Sequence, residues 1–260
     1  MSNLPLGEER EVKRSSGVSL DGAPLTYIVT LAAVVAVLAF VPLSVVLGSG
    51  KSFPLSQGIY PLVGWLLGPV AGAVANAIGA LIGVFLAPHT STFPVATISG
   101  ALAGGLAAGA MARRGSRSRW WLPLSVVFLL VYLLYAGRAV FQNGARLDAV
   151  LAGSFIDWSA WLLFVLPTRG LVAGWLAHAE KRRVAAGLFL GTWIAAGLSH
   201  LTGSLAVYLL VNWPNEVWGA MVPLALLEHL ARCLVGAVIG SGVIAGLRAT
   251  GMVKPTHAVY

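Results

Sequence analysis

Charged side chains inside apolar stretches are the first candidates for chemistry in this sequence. Glu228, His229 and Arg232 lie together within the apolar run 218–247. Glu228 and Arg232 are four residues apart, so a helix places them on one face. At 1.5 Å per residue, Glu228 lies about 15 Å into the run, near mid-membrane if the run crosses a bilayer. Because charges in a bilayer are costly, the group indicates a self-neutralising structural pair, the polar wall of a ligand cavity, or a subunit contact.

Arg169 is a second charge that lies deep within an apolar run. It follows Pro167 and precedes Gly170, so the helix is predicted to be interrupted there. We expect a side chain at this depth to need an acidic partner, and Glu228 and Asp157 are the available acids. This predicts a structural ion-pair group of Arg169, Glu228 and Arg232.

His200 is the corresponding candidate in the apolar run 184–211. Ser199 and Thr202 lie beside it, so its imidazole is either a packed, hydrogen-bonded side chain or a ligand-binding group. Asn76, in the apolar run 70–87, allows the same two interpretations.

The segments between apolar runs hold a denser mixture of polar and aromatic side chains. Residues 212–216 (NWPNE) precede the last run, and residues 89–92 (HTST) precede the run 93–111. Asp157 lies near Trp158 and Trp161 at the start of another run. Aromatic faces beside amides and charges suit a flat, polar small molecule.

The composition indicates that these residues belong to a membrane protein. Hydrophobic residues make up 58% of the 260 residues and charged residues 10%, whereas soluble domains carry about 25% charged residues. The 31 glycines would weaken soluble helices but are common in membrane helices. The formal charge of +8 comes from basic residues in short blocks between apolar runs. We therefore interpret them as topology signals rather than as a nucleic-acid surface, and predict no nucleic-acid partner.

Eight apolar runs are candidate membrane spans, because a span needs about 20 apolar residues. The run 54–68 is the weakest, since it is short and contains Pro61. The eight runs are 25–47, 54–68, 70–87, 93–111, 121–141, 155–178, 184–211 and 218–247. The predicted fold class is therefore an all-α polytopic membrane protein with about eight transmembrane helices.

The positive-inside rule gives this bundle an orientation. Basic blocks lie at 13–14, 113–119, 181–183 and 248–254, and such blocks favour the cytoplasmic side. Keeping 113–119 inside requires an inner turn at Gly68-Pro69, so that the two runs flanking it cross separately. The predicted organisation is a cytoplasmic tail at 1–24, a transmembrane domain at 25–247 and a second cytoplasmic tail at 248–260. We expect a multi-pass protein of a prokaryotic cytoplasmic membrane with both termini inside.

Common catalytic and metal-binding motifs are missing from the sequence. It has no GxxxxGK[ST] phosphate loop, no GxSxG nucleophile elbow and no HExxH zinc motif. Cys233 is the only cysteine, and no zinc-like Cys/His spacing occurs. We therefore predict no catalytic residue, no metal and no cofactor.

The second and third apolar runs resemble a known family. Residues 60–64 (YPLVG) are followed by 67–72 (LGPVAG) and 78–83 (IGALIG). This pattern is similar to the substrate-binding S components of energy-coupling factor (ECF) vitamin transporters, whose second and third helices meet at a similar Gly-Pro turn. The last run, with Val222-Pro223-Leu224 and Glu228, also resembles their last helix. The resemblance is best over 25–111 and 184–247.

The resemblance implies uptake of a small polar or heteroaromatic, vitamin-like molecule by a subunit that works with a membrane coupling protein and ATPase subunits. Ala32 and Ala36 resemble the small-residue face that docks the coupling subunit. S components have six helices, so 121–178 would be an inserted hairpin. Matching positions imply that the following residues bind substrate: His89, Thr92, His200, Trp213, Asn215, Glu216 and Glu228.

Two other functions fit the same residues. One is a membrane sensor or assembly protein without transport. The other is a membrane-embedded enzyme that acts on a lipid-linked substrate, with Arg169, His200 and Glu228 as its polar groups.

Overall fold

The computed structural model describes residues 17–45, 51–91, 93–111 and 119–260. Within these ranges the fold is all-α except for two short antiparallel hairpins, β1 (Ser19–Leu20) with β2 (Ala23–Pro24) and β3 (Pro42–Val45) with β4 (Ser52–Pro54). The α-helices are α1 (Leu25–Leu38), α2 (Tyr60–Leu67), α3 (Pro69–Leu86), α4 (Pro94–Gly109), α5 (Trp121–Gly137), α6 (Leu147–Gly153), α7 (Phe155–Val165), α8 (Thr168–Leu176), α9 (Lys181–Leu210) and α10 (Asn215–Thr250).

Four helices in the described ranges are long and apolar enough to cross a membrane. They are α3, α5 with its π-helical continuation to Gln142, α9 and α10. The consecutive helices α6 and α7, bent by 68°, give a fifth if they form one span. Helices α1 and α4 are apolar but shorter, at 14 and 16 residues. By helix length and hydropathy the chain is a candidate multi-pass helical membrane protein.

The apolar run 54–68 forms no full-length helix. A 3₁₀ turn at Leu55–Gly58 leads into α2, which has eight residues and is about 12 Å long. Every residue of α2 is buried. Gly68 then turns the chain with a φ of 90°, which disfavours any side chain, and Pro69 begins α3. The turn predicted at Gly68-Pro69 is thus present.

Glycines bring the backbones of α2, α3 and α4 into contact. A Cβ atom on Gly72 would lie 2.6 Å from the Cα atom of Gly64, so α2 and α3 fold back on each other. A Cβ atom on Gly64 would lie 2.5 Å from the carbonyl oxygen of Gly105 in α4. Small residues at four-residue spacing permit such close approach between membrane helices.

Helix α1 packs its small residues inside the protein. Ala32 and Ala36 are 3% and 7% exposed, and a Cβ atom on Gly79 of α3 would lie 2.5 Å from the carbonyl oxygen of Ala32. The structure thus covers the face that the resemblance assigns to partner docking. The exposed side of α1 carries larger apolar residues, including Val29 and Val37. The docking role of the two alanines stays a prediction.

The segment 121–178 is packed into the bundle. The helix break predicted near Pro167 is present, between α7 and α8. A Cβ atom on Gly153 of α6 would lie 2.8 Å from the carbonyl oxygen of Trp218 in α10. Helix α7 packs along α9. Residues here can therefore contribute directly to a site between α9 and α10.

Both ends of the described chain meet beside the Gly68 turn. The Thr256 amide donates to the Gly22 carbonyl at 3.2 Å, and the Val259 amide donates to the Trp65 carbonyl at 2.8 Å. Since α9 begins and α10 ends near the same place, this end of the bundle carries the basic residues of 181–183 and Arg248.

The contact between α2 and α4 gives a stability prediction. Gly64→Ala should lower the free energy of unfolding by about 1–3 kcal/mol, because the new methyl group meets backbone rather than flexible side chain. Gly246→Ala is the matched control, since nothing lies within 4 Å of a Cβ atom there. Thermal unfolding in detergent measures both. Equal stability of the two variants would contradict the close helix contact.

Candidate functional site

A cavity of about 490 Å³ lies between α4, α9, α10 and the segment from β4 to α2, within the range of roughly 300–1,000 Å³ for small-molecule sites. Small residues form part of its wall: Ala96 and Gly100 on α4, Gly203 on α9 and Ala225 on α10. Its polar lining consists of Ser52, Gln57, Tyr60, Thr90, Thr97, Ser199, His200, Ser204, Glu228 and Arg232. Much of the remaining wall is aromatic or aliphatic, including Phe53, Phe93, Val207, Trp213, Val217 and Leu224.

Glu228 and Arg232 form the charged wall of the cavity on α10. The Arg232 Nη2 atom lies 3.4 Å from Glu228 Oε2, so the pairing predicted from their spacing is present. The Ser44 hydroxyl of β3 also donates to Glu228. The guanidinium lies over the Phe53 ring, 5.2 Å from its centroid. The pair therefore lines a cavity as well as neutralising itself.

His200 is held by the buried carboxylate of Asp157, which the sequence had suggested as a partner of Arg169. Its Nδ1 atom lies 2.7 Å from Oδ1 of Asp157, which is 0% exposed. The Ser204 hydroxyl lies 3.4 Å from the same nitrogen. With Nδ1 occupied, Nε2 is the remaining polar atom of an imidazole that lines the cavity. The arrangement can exchange a hydrogen bond or a proton with a ligand.

Arg169 does not join an ion pair with Glu228 or Asp157 among the described residues, so that prediction was wrong. Its Nη1 atom donates to the carbonyls of Val165 and Leu166 at 2.6 and 2.8 Å. The break between α7 and α8 leaves these carbonyls without helical partners, and the guanidinium satisfies them. Its charge also lies over the Trp121 ring, 3.4 Å from the centroid.

The predicted loop residues divide between cavity and surface. Trp213 lines the cavity, and its ring packs against those of Tyr208 and Trp218 at 5.2 and 5.6 Å between centroids. His89, Asn215 and Glu216 are exposed and lie outside the cavity lining. Their direct contact with a ligand in this cavity is therefore not supported. Thr92 lies outside the described residues.

Several lining residues were not predicted individually as site residues, and Thr90 and Gln57 are two polar examples. Thr90, next to His89, is 3% exposed and donates from Oγ1 to the Ala39 carbonyl at 2.7 Å. Gln57 is a polar residue within the apolar run 54–68, which is the same signal that identified Glu228 and His200.

Asn76 and His229 have structural partners. The Asn76 Nδ2 atom donates to the carbonyls of Tyr60 and Ala101 at 2.9 and 3.3 Å. His229 is fully buried, with Nε2 at 2.9 Å from the Trp193 carbonyl. No group of three or more His, Cys, Asp or Glu side chains suited to a metal occurs within the described ranges.

Comparison with family models, with curated proteins and with solved structures gives no match for this chain. The functional interpretation therefore depends on the cavity and on the residues that line it.

The Asp157–His200 contact predicts strong energetic coupling. In a double-mutant cycle with Asp157→Asn and His200→Gln, we expect an interaction energy of about 0.5–3 kcal/mol in thermal unfolding, because the pair is buried. The exposed pair Arg146–Asp148, at 77% and 69% side-chain exposure, is the control and should show no measurable coupling. Additive effects at Asp157 and His200 would contradict the contact.

Proposed function

We propose that this chain is the substrate-binding membrane subunit of a solute-uptake system for a small polar or heteroaromatic, vitamin-like molecule. The observation that carries the proposal is the cavity, which brings together His200, Trp213 and Glu228 from separate parts of the sequence. Its size and its few polar groups in an apolar wall are typical of small-molecule sites.

The proposed topology has eight crossings with both termini cytoplasmic. Helices α1, α3, α4, α5, α9 and α10 each supply one crossing, and α7 with α8 supplies a broken one. The remaining crossing is the chain from β4 through α2, whose strand and 3₁₀ turn line the cavity through Ser52, Phe53 and Gln57. Non-helical backbone at membrane depth is tolerated where it is enclosed by protein or lines a cavity.

The positions of the basic residues support binding from the outer side. The end of the bundle with residues 181–183 and Arg248 is the cytoplasmic end by the positive-inside rule. Thr90 follows the C-terminal end of α3 and Trp213 follows the C-terminal end of α9, which is the end of the bundle away from the basic residues. Both side chains line the cavity. The cavity therefore lies toward the outer half of the proposed bundle.

The proposed partners are a membrane coupling protein and separate ATPase subunits. The sequence resemblance to ECF S components suggests them, and the absence of a phosphate-binding loop from the sequence is consistent with energy supplied by another chain.

The Asp157–His200 pair favours one second candidate, a membrane-embedded enzyme that acts on a lipid-linked substrate. A carboxylate on Nδ1 orients an imidazole for general-base chemistry at Nε2. For an enzyme, His200→Gln would abolish turnover of the bound molecule, whereas for a binding subunit the molecule would remain chemically unchanged in the wild type.

Filling the cavity should remove the ligand. In native mass spectrometry of gently extracted protein, we expect a co-purified small molecule in the wild type and its loss in Ala225→Phe, because the new ring projects into the cavity. Ala245→Phe is the matched control, since Ala245 is exposed on the same helix and outside the cavity lining. Retention of the molecule in Ala225→Phe would contradict binding in this cavity.

A further inference from the structure

We propose that the ligand of this cavity is a small organic carboxylate, whose anionic group binds the Arg232 guanidinium while its apolar body extends toward Trp213. The inference rests on the proposed function, in that it takes the cavity to be a binding site. It adds the chemical class of the ligand and the residue that selects it.

Arg232 has hydrogen-bonding capacity that the protein does not use. A guanidinium carries five N–H donors, and within the described residues Arg232 makes one side-chain hydrogen bond, to Glu228 at 3.4 Å. Its Nε atom is buried without a partner, although the residue is 3% exposed. Because Nε has no accessible surface, the donors open to a ligand are those of the Nη atoms, and Nη1 makes no hydrogen bond among the described residues. A ligand acceptor would use this capacity, since buried polar groups are usually satisfied.

The contact with Glu228 is too long to account by itself for the buried guanidinium of Arg232. Charge-assisted N–H···O bonds are usually about 2.7–2.9 Å long, and the contact between these side chains is 3.4 Å. Glu228 also accepts a hydrogen bond from Ser44. The carboxylate is therefore shared between two donors, whereas the guanidinium has donors left over.

The surroundings of Arg232 favour a single negative charge in the plane of the guanidinium. The guanidinium carbon lies over the Phe53 ring, 5.2 Å from its centroid, so this contact uses the positive charge and none of the N–H donors. Glu228 is adjacent, so a dianion such as a phosphate monoester would be repelled more strongly than a carboxylate. A carboxylate also matches the fork of guanidinium donors.

The rest of the cavity suits an apolar or aromatic body. Trp213, Val217, Val207, Phe93 and Leu224 line it. His200 adds one polar contact from α9, through the nitrogen that Asp157 leaves free. A short aryl acid from solution and a fatty acid from the bilayer share this chemistry.

Paired acid and amide probes test the ligand class. We expect 3-phenylpropionate to bind the purified protein at least ten-fold more tightly than 3-phenylpropanamide, measured by Trp fluorescence and thermal shift. Arg232→Gln should remove this preference. Glu228→Gln should keep or increase it, because a competing negative charge is gone. Decanoate with decanamide, run in parallel, distinguishes a membrane-derived acid from a soluble one.

Equal binding of acid and amide, or a preference that survives in Arg232→Gln, would overturn the proposal. If Arg232→Gln does not fold, Arg232→Lys serves instead and should weaken acid binding, because the fork of donors is lost. If no probe binds, the chemical class of the molecule that co-purifies with the wild type and is lost in Ala225→Phe decides the question. A neutral or cationic molecule would refute a carboxylate ligand and leave the proposed function intact. Absence of any ligand refutes both.

Discussion

The Asn76 side chain joins three helices on which the cavity depends. From α3 its amide donates to the carbonyl of Tyr60 in α2 and to that of Ala101 in α4. The amide fits there because Gly105 has no side chain, since a Cβ atom at that position would lie 2.9 Å from Nδ2. A hydrogen bond to backbone in apolar surroundings is costly to leave unmade. Helix α2 is too short to be stable by itself, and these hydrogen bonds help to fix it between α3 and α4.

Helix α4 uses small residues on two sides. Toward α2 and α3, Gly105 allows backbone contact and closes the interior. Toward α9, a Cβ atom on Gly100 would lie 3.1 Å from the Ser199 carbonyl oxygen, so Gly100 also allows close helix packing. Gly100 lines the cavity as well, which places the cavity at the edge of the interface between α4 and α9. Glycine spacing in the sequence does not show which of these contacts border a cavity.

Local rules predicted some of these features from the sequence. The Gly68-Pro69 turn, the break near Pro167 and the pairing of Glu228 with Arg232 each depend on a few neighbouring residues. Contacts between helices were not predictable in this way. Asp157 pairs with His200 and not with Arg169, because the rotation of α7 against α9 decides which side chain faces it.

The loop before α4 shows that prediction from sequence also fails to separate two neighbouring residues. His89 and Thr90 are adjacent, yet the first is exposed and the second is buried against the cavity. Composition identified the loop as polar, but the 3₁₀ turn at Pro88–Thr90 determined which side chain points inward. Similarly, Glu216 lies one residue before Val217 and four residues before Ala220 on α10, and only the latter two line the cavity.

The deep polar groups differ in how much of their hydrogen-bonding capacity the protein uses. Arg169 donates to two carbonyls that a helix break releases, and His200 is paired with Asp157. His229 has the Trp193 carbonyl at Nε2, although its Nδ1 atom is buried without a partner, and Ser199 donates to the Gly100 carbonyl at 2.7 Å. A buried arginine kept only for structure would be expected to have comparable partners, because an unpaired buried charge strongly destabilises a fold. Arg232 instead shares one distant carboxylate and borders the cavity, which is the arrangement expected when the missing partner is a ligand.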